Sequence, residues 1–248
     1  MEQDTAVAVE NADSIPESVK KLVKAVADDD KDGFSQLVSY PLQRPYPLHD
    51  IETPEQMSEY YHNLVDDSLR NVIIKAGVDK WSEYGWRGWS LDDGRYIWVD
   101  ENVYDVNYIS NSELRNIDSL QRVEIASLAP ELREGWRPMM CLKSSDSGKI
   151  YRVDTRTTGK PEEINHYRLA VYGSGDDLAA LPAQLLEGEM EVDGSAGSVS
   201  YHFHDKAAAS DYILLPESTE SIDPVIIKPS GDNVTLKRTY WHELVRKH

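Results

Sequence analysis

The sequence predicts an α+β protein in two parts: helices with an antiparallel sheet over residues 14–128, then an antiparallel β-sandwich or barrel over 129–248. Three observations predict it. Apolar residues recur at helical spacing as far as Gly77. From Tyr84 the pattern changes to the two-residue period of strands. Beyond Trp136, short apolar runs alternate with Gly- and Asp-rich turns.

Each element has a local cause. Ser14-Ile15-Pro16-Glu17 reads as a helix start, with Ser14 as cap and Glu17 closing the S-x-x-E box. Val19, Leu22, Val23 and Val26 then form one apolar face, and the acidic run Asp28–Asp32 with Gly33 ends the helix. A short helical piece is expected from Phe34 to Ser39. Tyr40-Pro41 through Pro47 must be extended, because proline excludes helix there. Thr53-Pro54-Glu55 opens a second long helix carrying Met57, Tyr60, Tyr61 and Leu64 inward. Asp66-Asp67 opens a third, with Leu69, Val72, Ile73 and Ala76, ending at Gly77.

Tyr84–Leu91 and Arg95–Val99 read as a hairpin around Asp92-Asp93-Gly94, with Gly94 supplying the left-handed turn position. That register pairs Leu91 with Arg95, Trp89 with Ile97 and Gly88 with Trp98. Trp89, Leu91, Ile97 and Val99 then share one face, and Trp86, Tyr96 and Trp98 the other, both covered. Val103–Ile109 continues as a strand. Ser112-Glu113-Leu114 opens a short helix and Arg122–Leu128 reads as a strand. Eight further strands are expected near 137–143, 149–155, 165–172, 185–192, 198–204, 211–215, 224–228 and 234–245. A domain boundary is expected near 128. Residues 1–13, with four acids and no base, read as a flexible tether.

Composition narrows the function classes. The chain has 248 residues, and 26 basic against 44 acidic side chains leave a net charge of −18. That balance argues against nucleic acid and against anionic membrane surfaces, both of which require a basic face. The single cysteine, Cys141, rules out an intrachain disulfide and a multi-cysteine zinc site, and its apolar context marks it as core. No apolar stretch approaches the ~18 residues of a transmembrane helix. The N-terminus shows no basic or apolar leader. The expected compartment is the cytoplasm if Met1 is native. It is the periplasm or an outer-membrane tether if residues 1–13 replace a trimmed leader. The aromatics are 14 Tyr and 6 Trp against 2 Phe. Ring types with a polar handle suit half-wetted grooves and binding surfaces.

Residues 25–42, Ala-Val-Ala-Asp-Asp-Asp-Lys-Asp-Gly-Phe-Ser-Gln-Leu-Val-Ser-Tyr-Pro-Leu, with Ile51-Glu52-Thr53-Pro54-Glu55-Gln56-Met57, resemble the NTF2-like (cystatin-like) domain. The version they resemble occurs in secreted or lipid-anchored proteins of Bacteroidetes-type bacteria. The resemblance covers about residues 15–110. It implies a curved antiparallel sheet wrapped around the first helix, with a pocket at the wide end of the cone. Enzymes, small-ligand binders and structural dimers share that fold, so fold alone does not give function. The second half resembles no family.

The candidate site residues follow from this. Tyr40, Tyr46, Tyr60, Tyr61, Trp86 and Trp98 are the expected ligand-pocket residues, and His62 and Asp105 join the tyrosines as acid–base candidates. Asp28-x-Asp30-x-Asp32-Gly33 matches the first half of an EF-hand loop and could hold Ca²⁺, although Ser39 stands where the bidentate Glu belongs. His202-x-His204 on one strand face could ligate a metal with Asp205, Asp211 or His166. No nucleophile elbow, P-loop, dinucleotide fingerprint or zincin motif occurs. The expectation is a bacterial cell-envelope protein without enzymatic activity or bound cofactor, binding a small molecule or protein of unknown identity. The alternatives are a hydrolase, isomerase or dehydratase using the cone pocket, and a calcium-stabilised structural module.

Overall fold

A computed structural model describes residues 15–156, 166–193, 198–206, 210–216, 223–228 and 230–247. The tether 1–13, the Ser14 cap and most of the expected turn at 193–197 lie outside the described residues. The chain divides into two compact units, 1–117 and 118–248.

In the first unit, α1 (Glu17–Ala27) presents Val19, Leu22 and Val26 as a fully buried stripe. It is followed by α2 (Lys31–Ser35), α3 (Pro54–Leu64) and α4 (Asp67–Ala76). Thr53 caps α3 through Gln56 N–H, and Asp66 caps α4 by accepting from Ser68 and Leu69 N–H, each at 3.0 Å. Gly77, at φ 54°, ends α4. Four short antiparallel strands follow as a meander: β1 (Trp81–Glu83), β2 (Trp89–Leu91), β3 (Ile97–Val99) and β4 (Val103–Val106). Leu91, Ile97, Val99, Val103 and Val106 join the helices' apolar stripes in one core, where Phe34 meets Tyr61 edge-on at 5.2 Å.

This overturns the expected fold class. No NTF2-like cone forms, because strands of three or four residues are too short to curve around a helix. The chain is mostly β: this small sheet and a closed eight-stranded barrel, with short helices. The hairpin register also differs. Leu91 pairs with Ile97, Ser90 with Trp98 and Trp89 with Val99, two residues from the expected pairing. A two-residue shift preserves the faces, so Leu91, Ile97 and Val99 still point inward together. The glycine under Trp98 is therefore Gly94, where a Cβ would lie 2.3 Å from the indole nitrogen. The predicted strand 84–91 is broken at Gly85–Arg87 by a 3₁₀ turn.

Residues 110–128 are also corrected. They form one helix, α5 (Asn111–Ser127), within which the division between units falls. Ser110 and Glu113 make a reciprocal capping box: Ser110 N–H donates to Glu113 Oε2 and Glu113 N–H to Ser110 Oγ, both at 3.0 Å. Nothing then breaks the helix before Pro130. The alternation at 122–125 misleads because Val123 is exposed while Glu124 is buried.

The second unit is an up-and-down barrel. Its strands are β5 (Arg137–Ser144), β6 (Ile150–Arg156), β7 (His166–Tyr172), β8 (Gln184–Asp193), β9 (Ser198–Asp205), β10 (Ser210–Leu215), β11 (Val225–Ile227) and β12 (Asn233–Thr239). Each pairs antiparallel with its chain neighbours, and β12 closes onto β5. Closure leaves no free sheet edge. Val153, Leu169, Phe203, Leu214, Ile226 and Leu236 are fully buried in its apolar cluster.

The expected strand 234–245 stops at Thr239 and turns into α6 (Trp241–Leu244). There Trp241 is fully buried, with its Nε1–H donating to Ser127 Oγ at 2.8 Å. The alternate face of β6 and β7 carries ions. Arg152 binds Asp154 at 2.9 Å and Glu124 at 3.2 Å, and Arg168 binds Asp154 at 2.9 Å and the Leu132 carbonyl at 2.6 Å. These buried charges are paired and hydrogen-bonded, as burial demands.

No helix among the described residues is long and apolar enough to cross a membrane.

Candidate functional site

The outer face of the N-terminal sheet carries the most distinctive surface of the first unit. The turn Tyr84-Gly85-Trp86-Arg87-Gly88 needs left-handed backbone at Gly85 (φ 57°) and Gly88 (φ 77°). A Cβ at Gly88 would lie 2.4 Å from the Val99 carbonyl oxygen, so the turn packs directly on β3. It closes through Tyr84 N–H to the Gly88 carbonyl (2.8 Å) and Gly88 N–H to the Gly85 carbonyl (3.0 Å). From outside, the Tyr104 hydroxyl donates to the Arg87 carbonyl at 2.8 Å. This fixed turn holds Trp86 at 87% exposure, with the Arg87 guanidinium 5.1 Å from its ring centroid. The tied-down turn spares the backbone ordering that a flexible loop would cost on binding.

Behind Trp86 the aromatic surface continues. Trp98 meets Tyr84 edge-on at 5.2 Å and tilts against Tyr104 at 6.4 Å. The Tyr84 hydroxyl donates to Asp93. That bond raises the phenol above its ordinary range, and burial does the same for Tyr104 ahead of the charge on Asp105. Both phenols stay protonated near neutral pH. Trp86, Arg87 and Tyr104 border a cleft of about 330 Å³ whose other walls are Ser39, Asp100, Glu101 and Asn102. The lining combines two aromatic rings with a hydroxyl, two carboxylates, an amide and the Arg87 guanidinium, which together offer donors and acceptors.

The remaining candidates lie as follows. Trp98 packs against Tyr84 and Tyr104, while Trp86 stands on the 3₁₀ turn and not on a strand face. The Tyr40 hydroxyl donates to the Ser35 carbonyl at 2.7 Å, and burial pushes it up to about 12. Tyr46 is half-buried and joined to Pro47 by a cis peptide. Tyr60 donates to Glu113 Oε1 at 3.2 Å, and burial followed by the Glu113 charge raises its pKa. Tyr61 is fully buried against Phe34, and burial pushes it up to about 12. His62 is exposed near Asp29 at 3.9 Å, and Asp105 pairs across the sheet with Trp98.

The three acids of the EF-hand-like run each have a local role. Asp28 receives Lys24 Nζ, Asp30 caps α2 by accepting Gly33 N–H at 2.9 Å, and Asp32 receives the Ser58 hydroxyl. Cys141 is completely buried, and desolvation raises its thiol well above the ordinary range. Sequence reasoning missed Tyr84, Arg87, Asp100, Asn102 and Tyr104. The available signal was the pair Gly85 and Gly88 bracketing Trp86-Arg87, a turn signature inside a supposed strand.

Comparison with known proteins finds no match: no family model, no curated protein and no solved structure aligns with this chain.

Proposed function

We propose that this is a non-enzymatic binding protein whose N-terminal sheet receives a neutral saccharide at the Trp86 cleft. The observation that carries the reading is the 87% exposed indole carried on a hydrogen-bonded turn beside a polar cleft. A pyranose ring has an apolar face of C–H groups and a rim of hydroxyls. Trp86 and Tyr104 suit the former. Asp100, Glu101, Asn102, Arg87 and Ser39 suit the latter, because hydroxyls both donate and accept. The net charge of −18 favours a neutral ligand over an acidic one.

The test is calorimetric titration of the full chain with cello-, malto-, xylo- and chito-hexaose, for wild type and Trp86→Ala. At least one oligosaccharide should bind, and Trp86→Ala should weaken it at least about tenfold, equivalent to ~1.4 kcal/mol. The unfolding midpoint should not change, since the indole buries almost nothing. No heat with any of the four, or equal affinity in the variant, would reject the reading.

A further inference from the structure

The barrel carries a second cluster, unrelated to the Trp86 cleft. On β9, His202 and His204 alternate with buried Tyr201 and Phe203, so both imidazoles face outward. Each meets acids on the neighbouring strands. Across the sheet His204 stands between Glu187 of β8 and Asp211 of β10, and His202 stands opposite Glu189. The bonds are specific. Asp211 Oδ1 lies 2.8 Å from His204 Nδ1, and Glu189 Oε1 lies 3.7 Å from His204 Nε2. His202 Nε2 lies 3.0 Å from the Ser200 hydroxyl and 3.3 Å from Glu191 Oε2.

Asp211 Oδ1 accepts the hydrogen bond from His204 Nδ1–H, so in the neutral imidazole Nε2 is the nitrogen that offers a lone pair to a metal, the usual carboxylate–histidine–metal order. Nε2 faces Glu189 Oε1 at 3.7 Å, an ion-pair distance when the ring is protonated and near ligand spacing when a metal replaces that proton. Two ligands each ~2.1 Å from a tetrahedral Zn²⁺ stand about 3.4 Å apart. The observed 3.7 Å therefore needs only a few tenths of an ångström of closure. Glu189 lies directly across from His202 and diagonally from His204, and His202, whose Nε2 meets Ser200 and Glu191 in the structure, must rotate to become the third ligand. Imidazole with carboxylate selects zinc-like transition metals over Ca²⁺ or Mg²⁺. Of the three partners that the sequence suggested for this histidine pair, Asp211 takes the supporting position, and the carboxylate at Nε2 is Glu189.

We propose that Glu189, His202 and His204 bind one divalent transition-metal ion on the barrel's outer face, with Asp211 orienting His204.

The experiment is calorimetric titration of EDTA-treated, dialysed full chain with ZnCl₂, repeated in excess CaCl₂. One Zn²⁺ per chain should bind, unaffected by Ca²⁺. His204→Ala should abolish binding, and Asp211→Asn should weaken it about 10–100-fold. His166→Ala, on a different strand, should bind as wild type. Apo unfolding midpoints of all variants should agree, because these side chains are largely exposed. No Zn²⁺ binding, binding retained in His204→Ala, or displacement by Ca²⁺ would overturn the proposal.

Discussion

Replacing Glu113 by Gln removes one charge from a fully desolvated ion pair in the first unit. Glu113 is 0% and Arg44 3% exposed. Glu113 Oε1 accepts from Arg44 Nε at 2.8 Å and the Tyr60 hydroxyl at 3.2 Å. Oε2 accepts from Arg44 Nη2 at 2.9 Å and Ser110 N–H at 3.0 Å. Both oxygens are saturated, so an amide must turn a donor toward another donor. Arg44 keeps hydrogen bonds to the Val106 and Tyr108 carbonyls, at 2.6 and 2.8 Å, but these dipoles do not replace the lost carboxylate charge beside a buried cation. Breaking one side of such a pair costs about 3–5 kcal/mol. In a unit of this size that lowers the midpoint by roughly 12–20 °C.

The assay is urea unfolding of the full chain followed by tryptophan fluorescence, with four of the six tryptophans in residues 1–117. Arg44→Met combined with Glu113→Leu should recover part of the loss, because the buried charge is gone while the Ser110 N–H, the Tyr60 hydroxyl and the Val106 and Tyr108 carbonyls lose these partners. A loss below about 1 kcal/mol in Glu113→Gln would refute the reasoning, since an exposed pair is worth that little.

Three further outcomes are expected. Asp66 keeps its charge to lower pH than an ordinary aspartate: partial burial raises its carboxyl, but hydrogen bonds from Leu69, Tyr108, Asn111 and Ser68 outweigh it and lower the pKa overall. Its contribution is therefore present above about pH 4 and lost as pH falls through the depressed folded value. Asp66→Asn should flatten the acid limb of a stability–pH curve, and Asp66→Ala should cost about 1 kcal/mol at neutral pH as a lost cap. Gly188→Ala should destabilise the barrel by about 1–3 kcal/mol in urea, because the new Cβ would lie 2.2 Å from the His202 carbonyl oxygen. Cys141 should resist a chromogenic disulfide reagent in the native protein and titrate fully in denaturant, since burial both shields the thiol and raises its pKa.

Much of the element order was legible. Asp66 and Gly77 bracket α4 by chemistry that acts within a turn, and the eight strands beyond Trp136 stand out by their two-residue period. Errors arose where partners distant in sequence decide. Residues 122–125 alternate like a strand, yet Glu124 is the buried residue because Arg152 and His242 reach it. Tyr240–Leu244 reads as strand, but Trp241 finds its pocket against Tyr172 and Ser127 only by turning into a helix. Within the candidate sites, Trp86 and the His202-x-His204 pair could be named from sequence. Tyr104, Asp100 and Glu189 could not, because nothing local says which strand lies beside them.

Apart from the start of α1, which fell differently, with Pro16 at the N-cap and no side-chain cap bond, the sequence alone determined the caps at Thr53 and Asp66, the switch from helical to strand period, the strong acidity and the burial alternation that turns His202 and His204 away from Tyr201 and Phe203. These depend on interactions within a few residues or on side-chain period, which the chain carries wherever it goes. Tertiary structure alone decided that the first sheet is a short meander and not a cone, and that the second closes β12 onto β5. It also decided that the hairpin slides two residues, placing Trp98 on Gly94. Register and closure depend on the summed packing of many weak long-range contacts. A two-residue slide leaves every side chain on its own face, so the local pattern cannot distinguish the two registers.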